Sequence, residues 1–223
     1  GHSRMDPYFW MKDREDPVVL EHLRKENAYT ESVLAPMKEV REKVLGELKA
    51  RLKPNDSSYP FLRHGYYYHH RYEPQKEYPI YVRSKGSKTA SEEIVLDVNE
   101  IARGQDFTEA HLLEISPDTK KALYAVDLEG RRFYSLYVKD LSTGKLLGSP
   151  IPKTTGRAVW ANDSKTFFYA KQHPETLRSQ WIYRHELGSS ADELVFEEKD
   201  EAFDLSLSRA RTDSYIFIVD RKS

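Results

Sequence analysis

Serine and histidine are the side chains of this 223-residue sequence that could carry acyl-transfer chemistry near neutral pH; it holds eight histidines and no cysteine. A catalytic serine needs a strained turn that exposes its hydroxyl, a histidine to take the proton and donors aimed at the developing oxyanion. No serine lies in a Gly-x-Ser-x-Gly elbow, and neither His-Glu-x-x-His, a Walker loop nor a dinucleotide glycine fingerprint is present. The densest histidine group is His64, His69 and His70, within "RHGYYYHHRY" (63–72). Strand alternation puts His64 and His70 on one face, which is two thirds of a metal site. No carboxylate at a suitable spacing joins them, so structural histidines in an aromatic strand are the favoured reading, with a metal site as the alternative. His173, in "KQHPETL", belongs to a loop between strands. No catalytic, cofactor-binding or metal-ligating residue is therefore assigned, no cofactor is expected, and the chain alone is expected to hydrolyse nothing.

Two further stretches could bind. The aromatic–basic run "YYYHHRY" has the composition of a base-stacking platform, but with a net charge of -1 the chain has no basic field, and cross-strand aromatic packing is favoured. The acidic "FEEKDEAFD" (196–204) could hold a cation or a basic peptide; loop solvation is the simpler reading. With 39% hydrophobic and 32% charged residues the composition is that of a soluble globular protein. Neither nucleic acid nor a membrane is expected as a partner: no apolar run reaches the roughly 18 residues of a transmembrane helix. Absence of cysteine is compatible with a reducing cytosol, so a cytoplasmic location is expected. Gly1-His2-Ser3-Arg4 before Met5 reads as a vector-derived leader and is set aside.

The elements that must position such residues have two textures. "MDPYFWMKDREDPVVLEHLRKENAYTESVL" (5–34) opens with Tyr8-Phe9-Trp10, a heavy apolar load for an N-terminal arm. Asp16 can cap a helix whose first position is Pro17. Val19, Leu20 and Leu23 form a narrow apolar stripe, continued by Val33 and Leu34. Pro36 breaks the run, and Met37, Val40, Val44, Leu45, Leu48 and Leu52 keep three-and-four spacing until Pro54. The expectation is a helical hairpin over about 16–53 with a solvated charged back and an apolar face that something larger must cover.

After Tyr59 the texture changes to short apolar runs: 65–72, 78–84, 92–98, 121–127, 134–141, 166–172, 181–187, 192–198 and 214–220, separated by turn residues such as "SPD", "STGK" and "NDSK". They repeat. "ISPDTKKALYAVD" (115–127) aligns with "WANDSKTFFYAKQ" (160–172) and less closely with "SLSRARTDSYIFIVD" (206–220), with Tyr124, Tyr169 and Phe217 in matching places 45 and 48 residues apart. A period of 40–50 residues with about four strands per unit is the signature of a β-propeller blade; a sandwich or barrel with accidental self-similarity is the alternative. The expected fold class is mainly β: three four-stranded antiparallel sheets and one incomplete sheet, with blades at about 60–100, 112–148, 159–198 and 206–223, after an arm and helical hairpin over 5–58. The incomplete propeller is thus assigned to 59–223. Counting blades leads to the expectation that the chain is a fragment of a longer protein.

"DPYFWMKDREDPVVLEHLRKENAYT" resembles the N-terminal signature of the prolyl oligopeptidase family of serine peptidases, including Glu26-Asn27 and the aromatic Tyr29. "YYYHHRYEPQKEYPIYVR", "ISPDTKKALYAVDLEGRRFYSLYVKDLSTG" and "AKQHPETLRSQWIYRHELGS" are similar to its oligopeptidase B branch, and the resemblance runs from Met5 to Ser223. It implies a seven-bladed propeller, of which this chain holds about three and a half blades, capping an α/β-hydrolase domain with a Ser-Asp-His triad, and cleavage of small peptides after Arg or Lys. No triad or specificity residue transfers to any position of this chain. The implied partners are a C-terminal hydrolase domain of the same protein and short peptide substrates, with the propeller gating access. Tyr8, Phe9, Trp10, Leu20 and Leu23 are then expected to pack on that domain. A stand-alone propeller acting as a binding scaffold is the alternative reading. Exposed strand edges and the uncovered arm also lead to the expectation of self-association.

Overall fold

Asp16 starts the first helix as its position before Pro17 dictates: its Oδ1 accepts the Val18 amide at 2.8 Å. In the computed structural model, which describes residues 3–222, α1 runs Pro17–Leu34 and α2 Lys38–Ala50. Gly1, His2 and Ser223 lie outside the described residues. A short 3-10 turn, Ala35–Met37, joins the helices around Pro36. The backbone stays right-handed at Leu34, Ala35 and Lys38. The pair is therefore joined through a helical turn at the Pro36 break that the sequence marks. Val33, Met37, Val40, Val44, Leu45 and Leu48 consequently stay exposed, since neither helix covers the other. This helical unit ends at Lys53, and a separate β unit begins at Pro54.

The β unit contains β1 (Phe61–Arg63), β2 (Tyr66–Arg71), β3 (Ile80–Lys85), β4 (Glu92–Asp97), α3 (Val98–Ala102), β5 (Glu109–Ile115), β6 (Lys121–Asp127), β7 (Tyr134–Asp140), β8 (Ile151–Trp160), β9 (Thr166–Gln172), β10 (Ser179–Glu186), β11 (Glu193–Glu197), β12 (Phe203–Arg209) and β13 (Ile216–Lys222). All pairings among them are antiparallel between sequence neighbours. The result is a partial β-propeller, an open series of meanders in which β1, β5, β8 and β12 are the first strands of successive repeats. In place of separate four-stranded second and third sheets, one seven-stranded sheet runs from β5 to β11. The cause is β8. Ile151 and Thr154 pair with β7, whereas Thr154 and Ala158–Trp160 pair with β9, so one strand ends one blade and begins the next.

Gly156 makes that sharing possible. Its φ of +72° breaks the register between Thr154 and Ala158, and an added Cβ would lie 2.8 Å from the Tyr134 ring. Gly156→Ala is expected to destabilise the chain by at least about 2 kcal/mol, combining left-handed backbone strain with overpacking. A urea midpoint equal to that of the unsubstituted chain would contradict this.

The cores lie between repeats. On β6, Ala122, Tyr124 and Val126 pack towards β2 and β4, while Leu123 and Ala125 join β7, β8 and β9. Burial on both faces explains why "KALYAVD" is almost continuously apolar. It also pushes the Tyr124 phenol up to about 12, with the stacked Tyr137 adding to the shift. Ala170, Ile182 and Leu205 form the next interface. The turns fix the repeat register. Ser116 N donates to the Lys121 carbonyl, Ala161 N to Thr166 and Ala210 N to Tyr215, and Thr119, Ser164 and Asp213 all have positive φ. By that register the residue equivalent to Tyr124 and Tyr169 is Ile218. Phe217, which the aromatic match selects, is displaced by one position and so faces the other side of the sheet.

Candidate functional site

Two surfaces stand out, one in each unit. In the helical unit Phe9–Lys12 form a 3-10 turn held by the amide of Met11 on the Tyr8 carbonyl. The Trp10 ring meets His22 edge-on at 5.5 Å, and the Lys12 ammonium stands over Phe9. This seats Trp10 beside α1, yet Tyr8, Phe9, Trp10 and Leu23 remain 69, 65, 43 and 46% exposed, and Leu20 is only partly buried. The five positions read from the sequence as a packing surface thus present uncovered apolar area, together with a groove on α2 lined by Leu34, Met37, Val40 and Leu48.

In the β unit the first strands converge at one end on Glu114. A bulge between Leu112 and Glu114 re-aims this residue out of the apolar β5 pattern. Its Oε1 accepts Arg63 Nη2 from β1 and Arg209 Nε from β12, both at 3.0 Å, and Oε2 accepts the Trp160 amide of β8 at 2.7 Å. The Glu114 and Arg209 side chains are each only 9% exposed. Such buried charges are tolerable because nearly every polar atom has a partner: Arg209 also donates to Asn162 Oδ1 and to the Trp160 carbonyl. The partners lie 51, 46 and 95 residues away, so nothing local in the sequence announces the cluster.

The described histidines engage in packing and loop contacts. His69 Nε2 sits 3.2 Å from Glu92, His70 packs against Tyr72 and Tyr81, and His64 occupies the positive-φ turn after β1. His70 and Tyr81 are direct cross-strand partners, which is the aromatic packing the sequence favours for this run. His173 Nδ1 accepts the amides of Glu175 and Thr176 and orders its loop. His185 Nδ1 lies 2.6 Å from Asp192, whose other oxygen accepts the Tyr169 hydroxyl; burial and that carboxylate push the Tyr169 phenol up. Among the described residues no hydroxyl nucleophile is bonded to His185. Among the described residues no three His, Asp or Glu side chains converge as a metal site. In the acidic run, Arg178 instead binds the carbonyls of Glu198, Asp200 and Phe203.

Comparison with known proteins assigns this geometry. Residues 1–222 match the family model described as prolyl oligopeptidase, N-terminal beta-propeller domain. The chain belongs to the prolyl oligopeptidase family. It is similar to dipeptidyl aminopeptidase BI of Pseudoxanthomonas mexicana, 36% identical with 98% of this chain and 33% of that protein covered. Protease 2 of Moraxella lacunata is 32% identical over the same shares. Among solved structures, oligopeptidase B from Leishmania major superposes with a TM-score of 0.90 at 30% identity, covering 98% of this chain and 32% of that one. This prolyl oligopeptidase propeller region therefore spans about a third of the length of the curated relatives it matches. Among its described residues no helix is long and apolar enough to cross a membrane.

Proposed function

We propose that this chain is the access-controlling propeller portion of a serine oligopeptidase that cleaves short peptides after Arg or Lys, with the chemistry carried by an α/β-hydrolase domain of the same protein. The observation that supports this reading best is the superposition on oligopeptidase B across 98% of the chain. The propeller architecture supports this physical role. A propeller over an active site excludes folded proteins and admits extended peptides, while the aromatic arm and helix face supply apolar area for docking. A cytoplasmic location accompanies this reading, supported only permissively by the absence of cysteine. The similarity to a dipeptidyl aminopeptidase favours a second reading, removal of N-terminal dipeptides by the same machinery. A scaffold without catalysis would have no need of the exposed Tyr8-Phe9-Trp10.

The complete reading frame should release fluorophore from an N-terminally blocked peptide ending in Arg or Lys. Release only from substrates with a free N-terminal dipeptide would select the second reading, and no release from either would refute both. The 223-residue chain alone is expected to give background rates. Turnover that survives further purification and is stopped by a serine-directed inhibitor would overturn the assignment of chemistry to another domain. The chain alone should also self-associate, because Tyr215, Phe217 and Val219 of the last hairpin are exposed together with the arm. Light scattering showing a clean monomer over a wide concentration range would contradict that.

A further inference from the structure

Three of the four first strands lie side by side, β5 beside β8 and β8 beside β12, as the innermost strands around the central channel of a propeller do. At the end marked by Arg63, Glu114, Trp160 and Arg209, polar contacts run from repeat to repeat. Asp118 N donates to Ser164 Oγ at 2.9 Å, linking the second and third repeats, and Asn162 Nδ2 donates to the Asp213 carbonyl at 2.8 Å, linking the third and fourth. Arg63 of the first repeat then reaches both Asp213 of the fourth, at 3.3 Å, and Glu114 of the second, at 3.0 Å.

The circuit is closed, and its closing member is unlike the others. The first and second repeats share the apolar interface of Tyr68, Val95, Ile115 and Ala122, and the second and third share β8 and the core around Trp160. Between the first and fourth repeats no strand pairing or shared buried cluster is found among the described residues. They meet through Arg63, Arg209, Asp213 and Glu114. We infer that Glu114 is the hub of an ionic clasp that fixes the position of the first blade relative to the fourth and closes that end of the axial opening with two guanidinium groups. Charge clusters of this kind can fix geometry while adding little stability, and removal of the Glu114 carboxylate leaves Arg63 and Arg209 sharing only the more exposed Asp213, at 3.3 and 3.7 Å. Because the clasp is a property of the β unit, it stands or falls independently of the peptidase reading.

The absence of cysteine permits a direct test by paired spin labels. Lys85 and Arg211 are exposed positions in the first and fourth repeats, and Lys145 is exposed in the second. With spin-diluted chain, K85C/R211C should give a narrow distance distribution that broadens and shifts outward by several ångströms in E114Q. K85C/K145C, which spans the apolar first interface, should not change. Unchanged K85C/R211C distances in folded E114Q would overturn the clasp, as would an equal change in both pairs, which would mean general loosening. If E114Q fails to fold, R63M decides. It removes the first-blade arm alone while Glu114 keeps Arg209 and the Trp160 amide, so the same selective broadening supports the clasp and unaltered distances refute it.

Discussion

Replacing Trp160 by alanine is expected to lower the unfolding free energy by about 3–5 kcal/mol, the range for truncating a fully buried tryptophan. Trp160 is 0% exposed at the end of β8, where its ring meets Phe167 edge-on at 5.3 Å within the core shared by β6, β7, β8 and β9. It joins two repeats, so the cavity opens in the strand that both use. Trp160→Phe separates packing from polarity. The indole Nε1 is buried without an acceptor, so its loss removes an unsatisfied donor, and phenylalanine should cost much less than alanine. Trp181 provides the contrast: it is partly exposed, and its Nε1 donates to Glu197 at 3.2 Å. Urea unfolding followed by far-UV circular dichroism measures all three. A Trp160→Ala midpoint no lower than that of Trp181→Ala would show that the shared strand does not govern stability.

What the sequence discloses about this core depends on how local the signal is. The cap at Asp16, the break at Pro36 and the doubly buried "KALYAVD" are set by neighbours within a few residues, and the fold class follows from their repetition. The first strands of the repeats are harder to read. β1 has three residues, β8 contains Pro152 and the positive-φ Gly156, and β5 interrupts its apolar pattern with Glu114. β12 is different: Phe203, Leu205 and Leu207 alternate cleanly with polar residues, a period of two that is legible in the sequence ahead of the turn. Aligning on aromatic identity ignores the one-residue step that the positive-φ turn fixes.

The Glu114 cluster was invisible for another reason. A carboxylate within "HLLEIS" is a local anomaly, and that is the whole signal the sequence offers. Its meaning arises only when the bulge at Leu113 turns it towards arginines from the first and fourth repeats. The arm is the opposite case. Its aromatic load is legible at once, while nothing in the arm's own residues specifies what packs on it.

That surface carries the second large expected effect. In the complete protein, Trp10→Ala should weaken docking between the hydrolase and propeller portions far more than Lys25→Ala. Trp10 still exposes 43% of its surface despite its contact with His22, and Tyr8 and Phe9 expose more. If the proposed domain covers this cluster, each aromatic side chain contributes about 1.5–3 kcal/mol on burial, and truncating a tryptophan buried there costs about 3–5 kcal/mol. Lys25 lies on the charged back of α1, paired with Glu21 at 3.6 Å, and both side chains are more than half exposed. Its removal should stay within about 0.5 kcal/mol, since exposed pairs of this kind contribute little. In the 223-residue chain, where Trp10 is largely uncovered, the two substitutions should differ far less. Thermal unfolding of both variants in both contexts provides the comparison. Equal losses in the complete protein would show that the arm is not a clamp. A large Trp10→Ala loss already present in the chain alone would place the tryptophan's role within the helical unit.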